Sequence, residues 1–192
     1  IYIYLGVLIG FVTSGLIFPR ILMTDQIGLL SVLVSYSLIF SQFASLGFVS
    51  VTTRFFSFFR DEKNKHNGFF FLAIMVTLIG FILMLAVFFL IKDRIIENSI
   101  EKSPLLGDYV YSIIPLFAVS LFFNILDTYY KVLYNAVIGI YLKELVQRLA
   151  ILISLGFFYF GIIDFNMFVY IYVLCFAVPF ILKNQSYDEP KG

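Results

Sequence analysis

Two short patterns of acid and base stand out in an otherwise apolar chain. Asn124, Asp127 and Lys131 fall at i, i+3 and i+7, one face of a helix. Glu144 and Arg148 repeat the acid-then-base spacing at i,i+4, with Gln147 between them. Asp127 stands out most, because apolar residues continue on both sides of it. Ionisable groups inside membrane segments are costly and usually face a bundle interior or water. One reading pairs Asp127 with Lys131 near the cytoplasmic interface, in a helix-hairpin clasp with Glu144 and Arg148. The other makes Asp127 and Lys131 cavity-lining residues that touch a substrate. Arg20 and Arg54 divide the same way. Each either anchors a helix end by reaching the headgroups or offers its planar, permanently charged fork to an anionic substrate.

Other chemistry has little footing. His66 lies in a charged loop with no Cys or second His near it, so a solvated histidine is expected rather than a metal ligand. Cys175 is the single cysteine, which excludes an intrachain disulfide. Nucleotide-loop, zinc-protease and serine-hydrolase motifs are missing. No catalytic residue, metal site or cofactor is expected, and a coupling ion is left open.

The elements that must position these residues are membrane helices. The chain is 61% hydrophobic and 13% charged, against about 25% charged in soluble domains. A first helix is expected from Ile1 to Phe18, stopped by Pro19. It starts without a basic leader, so it reads as a membrane helix cut off at its start rather than a signal peptide. Gly6, Gly10, Ser14 and Gly15 give it a small-residue face. The second helix looks like the organising one. It has no charge from Ile27 to Thr53 and runs on to Phe59. Ser31, Ser35, Gln42 and Ser45 form one stripe on it, expected to face inward. A third helix is expected from Gly68 to Ile91. A charged loop follows from Lys92 to Asp108, in which Ile95, Ile96 and Ile100 suggest a short interfacial helix. A fourth helix covers Tyr109 to Tyr134, with Pro115 as a possible kink. Ala136 to Ile140 reads as a turn, a fifth helix covers Tyr141 to Ile163, and a sixth runs to Leu182. The fold class is an all-α polytopic transmembrane bundle of about six helices over residues 1–182, with a polar tail over 183–192. Nine of the thirteen Lys and Arg residues fall on the side of the termini, which predicts both termini cytoplasmic.

The string Gly15-Leu-Ile-Phe-Pro-Arg-Ile-Leu-Met-Thr-Asp-Gln-Ile-Gly-Leu-Leu-Ser31 resembles the opening of the polysaccharide-transporter branch of the multidrug/oligosaccharidyl-lipid/polysaccharide flippase superfamily. Ser45-Leu-Gly47, Arg54-Phe-Phe56 and Leu142-Lys-Glu-Leu-Val-Gln-Arg-Leu149 resemble later elements of that branch, so the likeness covers residues 1–182. The family has two pseudo-symmetric bundles, and this chain supplies one. The resemblance implies an N-terminal lobe, with a second lobe as partner. It implies alternating-access flipping of a lipid-linked oligosaccharide diphosphate across a bacterial inner membrane, with membrane lipids as neighbours and no nucleic-acid partner. It places substrate contacts at Arg20 and Arg54 first, then at Asp127 and Lys131. A membrane enzyme of polysaccharide assembly and a non-transporting subunit are the alternatives.

Overall fold

The computed structural model describes residues 2–61, 68–99, 105–133 and 136–188. His66, Ile100, Lys102 and the end of the tail lie outside the described residues. The architecture is all-α, in seven helices with no strand among the described residues. Helix α1 covers 2–21, α2 Thr24–Ala44, α3 Phe48–Phe59, α4 Phe69–Ser99, α5 Leu106–Val132, α6 136–159 and α7 Phe165–Asp188. Five of them, α1, α2, α4, α5 and α7, are long and apolar enough to cross a membrane.

Several expected boundaries move, each for a local reason. Pro19 does not stop α1. A π-helical stretch, Val12–Ile17, precedes it, and the Phe18 amide reaches back five residues to the Thr13 carbonyl. That wider turn gives the proline ring room where an ordinary turn would clash, and the helix ends only at extended Leu22. The long second helix is two helices. Leu46 and Gly47 adopt positive φ, 48° and 74°. A leucine in that region is strained, and the chain restarts as α3 with Gly47 before its first turn. The expected interfacial helix at Ile95 and Ile96 is simply the end of α4, with Ile95 buried. The expected turn at Ala136 to Ile140 is already helix α6. At its far end α6 stops at Tyr159. Gly161 at φ 70° lets its own amide bond to Phe158 and the Ile162 amide bond to Phe157, a Schellman ending. Helix α7 continues past Leu182 to Asp188.

Helix α5, not the stretch from Ile27, is the centre of the bundle. It packs against α2, α3, α4 and α7. Its core face runs from Leu106 and Val110 through Ile113, Leu116, Phe117 and Leu121, all buried. Phe117 meets Phe40 of α2 at 5.9 Å and Phe81 of α4 at 5.0 Å between ring centroids. Beside them α2 and α4 touch backbone to backbone: a Cβ on Gly80 would collide with the Ala44 carbonyl oxygen. These contacts tie the C-terminal end of α2 to the middle of the uncharged runs of α4 and α5.

The expected inward stripe of α2 is also corrected. Ser31, Ser35 and Gln42 are exposed, and only Ser45 is buried. The hydroxyls that turn inward are Ser37 and Ser41, on the face with Leu33, Phe40 and Ala44. The larger apolar residues take the core side because α5 and α4 both pack there. The Ser37 hydroxyl donates to the Leu33 carbonyl at 2.6 Å.

Candidate functional site

Helix α1 is held mainly by α6, and the two run parallel where they meet. Gly6 lies against Glu144, and Gly10, one turn on, lies against Arg148. A Cβ on Gly6 would sit 2.7 Å from the Glu144 Cβ and 2.8 Å from its carbonyl oxygen. The missing side chains are therefore what allows this approach. Arg148 uses it twice. Its guanidinium donates to the Gly6 carbonyl at 2.5 Å and pairs with Glu144 at 2.6 Å. Both members of the pair are partly buried, at 32% and 26% side-chain exposure.

Above this contact a cavity of about 360 Å³ opens between α1, α6 and α7, with Val34 of α2 at its edge. Its polar wall is Thr13, Ser14, Lys143, Glu144, Gln147 and Arg148; its apolar wall includes Phe18, Tyr172 and Phe176. A smaller cavity of about 30 Å³ adjoins it and shares Lys143, Gln147 and Phe176, adding Ser120 and Asn124 from α5. Leu38 of α2 lines it too, half a turn from Phe40, so the smaller cavity adjoins the core around Phe40 and Phe117.

The polar wall coincides with irregular backbone. Thr13 and Ser14 belong to the π stretch of α1, and Lys143 and Glu144 to a second one, Leu142–Val146, in α6. There the Gln147 amide reaches back to the Leu142 carbonyl. The Thr13 hydroxyl donates to the Ile9 carbonyl at 2.7 Å. Such π segments collect at functional sites because they re-aim side chains without ending the helix.

The residues singled out from the sequence do not meet there. Arg20 and Arg54 are exposed, on α1 and α3, and line neither cavity. Asp127 is buried and pairs with Lys131 at 2.5 Å, with Lys131 reaching outward. Asn124, their companion on that face, does line the smaller cavity. Of the expected clasp, each acid pairs with the base four residues on in its own helix, and Arg148 turns to α1. Lys143 and Gln147 are the residues that sequence reasoning missed. Their signal was present: three charges within six residues leave α6 outside the five apolar spans, yet helix extends on both sides of them.

Comparison with protein-family models, curated proteins and solved structures gives no match. Chemically, the site can bind and orient a polar or charged group. It offers an ammonium, an amide, hydroxyls and an ion pair beside aromatic faces.

Proposed function

We propose that this bundle is the N-terminal lobe of a flippase for lipid-linked oligosaccharides. It would work in a bacterial inner membrane by alternating access with a second lobe. The observation that supports this reading is the polar cavity between α1, α6 and α7, edged by two π segments. Membrane transporters build their sites from interrupted helices, where irregular backbone can face a cavity. The exposed stripe of Ser31, Ser35 and Gln42 on α2 adds support, since hydroxyls and an amide suit a wet vestibule better than lipid tails. Arg20 and Arg54 stand in this reading as groups that meet the diphosphate at the vestibule rim, with Asp127 and Lys131 behind them. Orientation with both termini cytoplasmic is part of the same proposal. In this proposal Lys143 and Arg148 lie in the membrane and leave the loop-charge count, and the remaining seven against four still favour that side.

Deletion of the gene in its native host provides the test. The expected outcome is accumulation of a lipid-linked oligosaccharide that a lectin reaches only after the membrane is permeabilised. Surface polysaccharide and lipid-linked pools both unchanged would overturn the proposal.

A further inference from the structure

Gln147 is 9% exposed, and its carboxamide makes no hydrogen bond to any described residue. It stands between the two cavities and borders both. A buried polar group without a partner is costly. A carboxamide calls for acceptors at its NH₂ and a donor at its oxygen. The smaller cavity, at about 30 Å³, has room for a single water, which meets only part of that demand. The rest faces the larger cavity.

The charges on the same wall call for no counter-ion. Glu144 and Arg148 pair with each other, and Lys143 is exposed. What the wall leaves unmet is neutral, and it both donates and accepts. Further positions of this kind lie on α1. The Ser14 hydroxyl is one; the Thr13 hydroxyl, which donates to the Ile9 carbonyl, keeps its acceptor lone pairs for another. The apolar wall adds the aromatic rings of Phe18, Tyr172 and Phe176, whose electron-rich faces attract polarised C–H groups. A simple alcohol or amide would meet one of these positions and leave the others. A pyranose meets both walls, with hydroxyls along its edge and C–H groups on its faces. The volume of about 360 Å³ lies at the small end of ligand pockets.

We propose that this cavity binds an uncharged sugar ring, with the Gln147 carboxamide as its anchor. The inference rests on the cavity alone. A failed binding test leaves the gene-deletion outcome standing, and the reverse holds too.

The test is saturation-transfer NMR on the purified full chain in phosphatidylcholine nanodiscs, assembled without glycosidic detergent. The probes are the methyl glycosides of glucose, galactose, mannose and N-acetylglucosamine. Saturable transfer to the ring protons of at least one is expected. Q147L should weaken it by about tenfold, the loss of hydrogen bonds to one amide. The same variant should melt no lower than the parent, because leucine replaces an amide that the fold leaves unpaired. S14F, which fills the cavity from α1, should abolish transfer and keeps the test decisive if Q147L does not fold. Methyl glucuronide, the glucoside ring with a carboxylate, should bind no tighter than methyl glucoside. Dodecyl glucoside in the bilayer distinguishes the two sources. Stronger displacement than by the free glycoside assigns the ring to a lipid, and no stronger displacement assigns it to a solute; either supports a sugar site. No saturable transfer from any of the four glycosides would overturn the proposal. So would undiminished binding by Q147L or S14F, a lowered melting midpoint in Q147L, or tighter binding of the glucuronide.

Discussion

The pairs Asp127–Lys131 and Glu144–Arg148 are written alike: acid, three residues, base. They end up in different circumstances. On α5 the acid is buried, and the base reaches outward at 43% exposure. On α6 both members are partly buried, and the arginine crosses to a backbone carbonyl of another helix. The cause is where each pair lies along its helix. Asp127 and Lys131 occupy the last turns of α5, whereas Glu144 and Arg148 sit in the middle of α6. The same spacing thus yields a helix-end ion pair in one case and an interhelical latch beside a cavity in the other.

The largest effect should come from closing the space that the latch uses. Gly6→Leu pushes a branched side chain into the Glu144 backbone, where even a Cβ has no room. Overpacking of this kind costs about 1–3 kcal/mol, and the upper end is expected here. Thermal loss of the monodisperse peak in detergent would register it. An unchanged midpoint would mean that α1 does not rest on α6 through Gly6.

The fold class and most helix positions were legible in the sequence, because uncharged runs of sufficient length have few alternatives in a membrane. The breaks were not legible. Ser45-Leu-Gly47 reads as helix, since nothing in apolar composition signals a left-handed leucine. The residues Ala136 to Ile140 read as a turn because charges follow them, and that put Lys143, Glu144, Gln147 and Arg148 in the first turns of a helix. Moving the helix start back to Ala136 puts them about two to three turns into α6, where they meet α1 and the cavity. The site was therefore hidden by a single boundary. Gly6 and Gly10 were recognised as a close-packing face, but their partner was not, because the meeting of α1 and α6 depends on tertiary structure.

Removing one base from each pair sharpens the comparison. Arg148→Ala leaves both Glu144 and the Gly6 carbonyl without a charged donor. A loss of about 1–3 kcal/mol is expected, the range for a partly buried group stripped of its partner. Lys131→Ala removes an outward-reaching member, and the loss should stay under about 1 kcal/mol. Parallel melting curves of the two variants would check the ordering; equal shifts would erase the distinction drawn between the pairs.

Arg54 provides the smallest expected structural effect. It is exposed on α3, so both Arg54→Lys and Arg54→Ala should change stability by less than about 0.5 kcal/mol. If its fork meets an anionic substrate, Lys should be partly active and Ala nearly inactive at normal membrane abundance. Complementation with immunoblotting would measure both. An anchoring role predicts instead that Lys equals Arg, because only a long cationic stem is needed.

The central claim is that water enters the middle of this bundle at the α1–α6 cavity. Cysteine accessibility tests it most directly, in a Cys175→Ser background that removes the native thiol. Ser14→Cys lines the cavity, and Phe89→Cys stands on an exposed, apolar face of α4. With a charged, water-soluble thiol reagent in intact membranes, Ser14→Cys should react and Phe89→Cys should not. Equal reactivity at the two positions, or protection of Ser14→Cys with labelling of Phe89→Cys, would contradict the account.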